Sequence, residues 1–396
     1  MGKNTTPVER ELAVRVGGRI RQLRTIQHVS QIRLATEIGI RAGPLGWIEK
    51  GLHLPSGRVL YRIAKQLNVR IDDLFQESNV WQPGAPAVSD TVLSLLPPLD
   101  TAAGSEAVKS THIICHTVAD KLLELENLCG VSKTSGIPLC VKFPPTETGA
   151  AYLAARVRQK LGIGCAILGD YLELLEGAGL RIVFMEMPEG CESFCGYDRV
   201  NRNAFFFMNS LLKKQPEIQI YRLAFELGRI FWHTRTLCGC AAEEAPSAET
   251  DDPVLDEVSF ARRFAASFLM PAHAVQTTAW QMGLTPKAWT WDMLLRLKRR
   301  YGVTAQSFAL RLQELKLSWS DKQKKSPRSY LFKGEIDAFV AENGTAAEPG
   351  GNRPQLAMNG RLCELLLLAE QKAGKEQKPV NTVKRVLRQS GVKLDA

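Results

Sequence analysis

No apolar run in this 396-residue sequence reaches membrane-span length; a spanning helix needs about 20 such residues. The opening MGKNTTPVEREL has no apolar core of a secretory leader. A disulfide framework is missing as well. The nine cysteines are odd in number and scattered, which reads as reduced thiols rather than a stapled secreted scaffold. These absences exclude a membrane protein and a small secreted domain, and the expectation is a cytoplasmic protein with no membrane partner.

The remaining absence is local. In the stretch IYRLAFELGRIFWH, Phe225-Glu226-Leu227-Gly228-Arg229 stands where a zinc peptidase helix carries His-Glu-x-x-His. Two histidines at i and i+4 share one helix face and hold the ion, and the glutamate between them acts as general base. Phe225 has no lone pair and Arg229 is a permanent cation. The glutamate is present without the groups that would hold a metal.

What is there begins with charge. The net charge is +10, and residues 1–80 hold thirteen Lys/Arg against seven Asp/Glu. A basic excess on a small helical module points to a polyanion partner. The length allows two or three domains, each with its own core. From Glu11 to Phe75 the pattern predicts five short helices. Leu12, Val16, Ile20 and Leu23 recur at helical spacing, Ser30 offers an N-cap, and Gly39 and Gly51 end the second and third helices. Residues 76–106, rich in Pro, Ala, Ser and Gly, read as an extended linker with one apolar patch from Val92 to Leu96. A helix from about Glu106 to Leu128 follows, and its His112 and His116 are read as ordinary residues of an apolar helix rather than a metal pair.

The run VSQIRLATEIGIRAGPLGWIEKGLHLPSGRVLYRIAKQLNVRIDDLF resembles the Cro/C1-type (XRE) helix-turn-helix family without a gap. The matching features are Ser30-Gln31, Leu34-Ala35, Gly39-Ile40, Ile48-Glu49, Gly51, Pro55 and Asp73-Leu74-Phe75. The resemblance implies double-stranded DNA as partner, bound by a homodimer, with the third helix in the major groove. It places Ser30 and Gln31 at the groove rim, Gln31 meeting phosphate or a base edge, and turns Arg41, Ala42, Gly43, Pro44, Gly46 and Trp47 toward the bases. Of these only Arg41 can grip guanine in a bidentate manner, and Ala42 can pack on a thymine methyl. Arg19, Arg24 and Lys50 are the candidate phosphate contacts. The family favours polar reading residues, so a module that has kept only a protein-interaction role is the alternative.

From about Thr146 to Leu317 the chain is similar to the ImmA/IrrE-type metallopeptidases. The resemblance rests on FELG at the site, FAASFLMP downstream, a strand Asn203–Asn209 (NAFFFMN), and the closing pair WDMLLRLKRRYGVTAQSFALRLQEL. It implies a third metal ligand six residues before Phe264, which is Val258, with Glu257 one residue out of register. All three ligand positions are thus absent, and catalytic zinc takes three protein ligands. Glu226 reads as a vestigial carboxylate paired with Arg229 or a neighbouring arginine, and His233 as a capping or packing residue. A relocated metal set would have to draw on His233, Cys191, Cys195, Cys238 and Cys240. No metal, cofactor or catalytic residue is expected.

The expected architecture is multidomain. An all-α five-helix helix-turn-helix domain covers 11–76, and a linker and connector helix cover 77–145. An α+β zincin-like peptidase domain, helix-rich with a small sheet, covers 146–320. A helical basic tail covers 321–396. The expected function is a DNA-binding transcriptional regulator whose silent peptidase-like domain senses a small-molecule or protein effector. An active metallopeptidase that cleaves a repressor is the alternative.

Overall fold

The computed structural model describes residues 7–26, 29–67, 71–74, 93–96, 106–188, 191–211, 215–237, 252–318, 329–344, 347–351, 358–374 and 377–394. The chain divides into two units, Met1–Thr91 and Val92–Ala396. The first holds α1 (Pro7–Ile26), α2 (Gln31–Glu37), α3 (Ala42–Glu49), α4 (Gly57–Gln66) and a single 3-10 turn at Ile71–Leu74. Among the described residues, four α-helices and one 3-10 turn therefore stand where five short helices were expected, and the first is 20 residues long.

Ser30 caps α2, its Oγ accepting from the Arg33 N–H at 3.2 Å. Val16, Ile20, Leu23, Leu34, Leu45, Ile48, Leu60 and Ile63 are buried. Burial of each such side chain favours folding by about 1.5–3 kcal/mol. The approach of α1 to α3 depends on Gly17, where a Cβ would lie 2.0 Å from the Ile48 carbonyl oxygen.

The second unit runs β1 (Leu93–Leu96), α5 (Glu106–Cys129), α6 (Glu147–Lys160), α7 (Tyr171–Gly177), β2 (Arg181–Met185), β3 (Ser193–Asp198), β4 (Asn203–Asn209), α8 (Pro216–Thr234), α9 (Glu257–Leu269), α10 (Ala272–Gln281), α11 (Trp291–Tyr301), α12 (Ala305–Glu314), α13 (Lys333–Asn343), α14 (Gly360–Ala373) and α15 (Lys378–Gln389). The strands form one mixed sheet in the order β1-β3-β4-β2. β1 and β4 flank β3 antiparallel, and β2 pairs with β4 in parallel.

Every residue of β2, β3 and β4 is buried. A sheet covered on both faces needs continuous apolar strands rather than alternating ones, and IVFM and AFFFM supply them. One face, with Ile182, Phe184, Phe206 and Met208, shares a core with α6, α8 and α9. The other, with Val183, Met185, Phe205 and Phe207, shares a core with α5, α14 and α15.

That second layer changes the expected outline. The connector helix and the tail belong to the body itself. Val118, Leu122 and Leu125 of α5 are buried in the same cluster as Leu362 and Leu366 of α14 and Val383 and Leu387 of α15, and Val392 bridges to Met185. The expected linker contributes β1 as a strand. α5 is tied to the sheet by a fully buried network in which Arg181 donates to Glu126 at 2.9 Å and to Asp198 at 2.8 Å. On the same helix the rings of His112 and His116 lie 4.8 Å apart. Cys140 is disulfide-bonded, against the expectation of reduced thiols throughout, whereas Cys115, Cys129, Cys165, Cys191, Cys195 and Cys363 are free.

Candidate functional site

α8 starts at Pro216, whose missing N–H costs a first-turn position nothing, and runs through the FELGR motif against β3 and α9. Its approach to α9 is close at Gly228, where a Cβ would stand 3.0 Å from Ala261 Cα. α9 begins at Glu257 behind the cap Asp256, whose carboxylate accepts from the Ser259 N–H at 2.7 Å. Asp252, four residues upstream of that cap, accepts from the Thr148 N–H at 3.0 Å.

The motif side chains form one connected network. The buried Glu226 accepts from Ser193 Oγ at 2.6 Å and from Cys195 Sγ at 3.0 Å, both on β3. Arg229, 1% exposed, donates from Nη1 to Glu226 at 3.0 Å and from Nε to Glu257 at 2.7 Å. His233 Nε2 completes the line at 3.1 Å from Glu257. Phe225 is buried, with the Arg222 guanidinium 5.6 Å from its ring centre.

Three sequence expectations meet this geometry differently. Glu226 is paired with Arg229, as read. Glu257, counted out of register, is the residue that faces the site, while Val258 packs on the apolar core. His233 holds a carboxylate rather than a helix end. Ser193 and Cys195 belong to a strand that sequence reasoning did not single out. The only signal for the network was the i, i+3 spacing of Glu226 and Arg229, which puts an acid and a base on one helix face.

The hydrogen bond from His233, followed by that from Arg229, holds the Glu257 carboxyl at about 2 against the opposing effect of burial. Burial disfavours the Arg229 charge, but Glu226, Cys195 and Glu257 together outweigh this and drive its pKa up. Burial, then Glu226, pushes the Cys195 thiol well up, so it stays a proton donor. These residues do not fit a zinc ion. Phe225 offers no lone pair, and a guanidinium bonded to two carboxylates already supplies the local positive charge. Among the described residues no three His, Cys, Asp or Glu come together as a metal set. Cys238 and Cys240 lie outside the described residues.

The second candidate surface is α3. Its buried face carries Leu45, Ile48 and Glu49. Arg41, Gly43, Pro44, Trp47 and Lys50 are exposed, Trp47 by 52%, and Ala42 and Gly46 are half-buried. Arg41 occupies the N-cap position with no side-chain cap bond. Ser30 is exposed, and Gln31 donates to Glu49 at 2.9 Å while packing against Gly46.

Two expected phosphate contacts are placed otherwise. Arg19 is buried. Arg24 grips Glu49 with Nε at 2.6 Å and Nη2 at 3.0 Å and also donates to the Val29 carbonyl at 2.9 Å. A guanidinium committed to a buried carboxylate and a carbonyl cannot swing to phosphate without breaking charge-assisted bonds. Arg24 is therefore a brace between α1 and α3, and Lys50 is the basic residue of the three that remains exposed.

Residues 20–74 match the helix-turn-helix family, and residues 175–313 match the IrrE N-terminal-like domain. An uncharacterized HTH-type transcriptional regulator of Archaeoglobus fulgidus is 38% identical over 65 residues, 16% of this chain and 93% of that protein. A second from the same organism is 33% identical over 66 residues, again 16% and 93%. Among solved structures, the restriction-modification controller protein C.AhdI from Aeromonas hydrophila is 32% identical, covering 16% of this chain and 96% of that one, with a TM-score of 0.16.

Proposed function

The chain belongs to the helix-turn-helix family and carries an IrrE N-terminal-like domain, and on that premise we propose that it is a DNA-binding transcriptional regulator with a catalytically silent, zincin-like body that senses an effector. The observation that carries the silent half is the Arg229 guanidinium held between Glu226 and Glu257. A hydrolytic site needs an electrophile or an activated water there. This one holds a cation without an open coordination position.

In the DNA-bound state, a homodimer in the cytoplasm sets one α3 into each of two major-groove half-sites. Ser30 and Gln31 lie at the rim, and Arg41, Ala42, Gly43, Pro44, Gly46 and Trp47 face the bases. Lys50 contacts phosphate. The small residues at 42, 43 and 46 let the backbone approach closely but donate little, so affinity is dominated by phosphate and falls steeply with salt.

Gel-shift titration against the chain's own upstream DNA at several salt concentrations tests the regulator, and absent or salt-insensitive binding overturns it. Zinc analysis of purified protein tests the silent body. One tightly held, stoichiometric zinc bound through Glu226 or Glu257 overturns that half. The sparse reading face also supports a second reading, in which the front unit docks proteins rather than DNA. Unchanged DNA affinity in Arg41→Ala favours it.

A further inference from the structure

β3 carries two of the three side chains that donate to Glu226, Ser193 and Cys195, and one of its edges is filled by a strand from elsewhere in the chain. β1 is four residues long and pairs antiparallel with β3 from Leu93↔Asp198 to Leu96↔Cys195. It is the first described element after Leu74, and residues 75–92 join it to the helix-turn-helix unit. Pro97 and Pro98 follow it in sequence, and proline has no N–H with which to lengthen a ladder.

Without β1, β3 would present a bare row of N–H and C=O groups, the template onto which extended peptides add. The side chains of β1 show what that edge accepts. Leu93 is buried and Leu95 half-buried on the side of the sheet that packs against α5. Leu96 is buried on the other side, in the core that holds α8, and its register partner Cys195 donates to Glu226. Against burial of these leucines stands the entropy of ordering four residues, an opposing effect of the same size. β3 and β4, paired on both sides or over seven residues, have no such near-balance.

We propose that β1 is an exchangeable occupant of the β3 edge, and that the effector is an extended apolar peptide that displaces it. The peptide carries leucine-like side chains at its first, third and fourth positions. Because β1 is continuous with the DNA-binding unit through residues 75–92, its displacement frees the body's hold on that segment and changes DNA affinity. This rests on the reading of the body as a sensor.

The test uses a fluorescently labelled synthetic peptide of sequence DTVLSLLPP and the full chain. Wild type binds it, a Leu93→Asp/Leu96→Asp double variant binds it at least about tenfold more tightly because the internal competitor is gone, and a peptide with aspartate at the leucine positions does not bind. A folded double variant with unchanged or absent peptide binding overturns the proposal. So does doubling of mass without peptide binding, which would assign the edge to a second copy of the chain.

Hydrogen exchange on wild type decides the matter even if the variant fails to fold. Amides 93–96 should exchange far faster than those of β4, and equal protection overturns the proposal. Saturating peptide should shift the gel-shift midpoint at least about fivefold, and an unchanged midpoint with peptide bound overturns the coupling. Absence of DNA binding before any peptide is added strikes the regulator reading instead and leaves the exchange measurements standing.

Discussion

Replacing Arg229 with methionine removes the guanidinium that bridges Glu226 and Glu257 and leaves Glu226 buried with a hydroxyl and a thiol as its remaining donors. Breaking a buried ion pair from one side costs roughly 3–5 kcal/mol. A stranded carboxyl has an escape, since it can take up a proton. From an ordinary glutamate pKa, that proton costs about 3.7 kcal/mol at pH 7 and about 1 kcal/mol at pH 5. The native variant then binds one more proton than its unfolded form, so its stability falls as pH rises. Relative to wild type, Arg229→Met should lose about 1.4 kcal/mol per pH unit between pH 5 and pH 7. Urea unfolding of both proteins at pH 5, 6 and 7, followed by emission of the tryptophans, measures this difference. Adding Glu226→Gln should flatten it, because no carboxyl remains at 226 to be stranded. A loss that is the same at pH 5 and pH 7, or a double variant as steep as the single, refutes the idea that Arg229 supplies the charge this site requires.

Glu176 gives the opposite kind of pH response. Burial pushes its carboxyl up to about 7, and its Oε1 has no hydrogen-bond partner. A raised folded-state pKa means full stability below the unfolded value of about 4.3 and a loss as pH rises through 7. Glu176→Gln should therefore gain up to about 3 kcal/mol at pH 8 and nothing at pH 4, read from urea midpoints, and an equal effect at both pH values counts against it. In the front unit, Gly17→Ala forces a methyl into the Ile48 carbonyl and should cost about 3 kcal/mol, with DNA binding lost alongside the helical melt. Gly18→Ala meets no atom within 4 Å and should gain up to about 1 kcal/mol; if the two variants melt alike, the close approach of α1 and α3 is wrong. On DNA, Arg41→Ala should cost about 1–3 kcal/mol and relax one base position, whereas Lys50→Ala should weaken all sequences alike and lower the salt slope by about 1. Competition gel shifts at two salt concentrations separate them, and identical behaviour would show that neither role was assigned correctly.

Sequence made some of this legible because the evidence was local. Turn glycines, the Ser30 cap and the helical spacing of Val16, Ile20 and Leu23 announced the front unit. NAFFFMN is apolar enough to be read as a strand with the bounds it has in the structure. β3 was not legible, since SFCGYD has no β-branched residue and a central glycine, and only its neighbours on both faces make it a strand. β1 was hidden by proline-rich surroundings that read as linker. Glu257 escaped because counting along a helix assumes the helix is already running, and α9 starts at that very residue behind Asp256. The Arg24–Glu49 brace spans 25 positions and has no local signature at all.

The helices that cover the second face of the sheet have a consequence for how the chain is made. The front unit is complete within its first 91 residues, but Val183, Met185, Phe205 and Phe207 wait for α14, α15 and Val392. At about 5–20 residues per second of synthesis, the gap between the two events is on the order of tens of seconds. During that interval a finished helix-turn-helix unit is tethered to the ribosome ahead of a body whose second sheet face has only α5 to cover it. A chain stopped short of residue 360 would keep its front unit and leave the part of that face beyond α5 exposed permanently, and its fate would be aggregation rather than unregulated DNA binding.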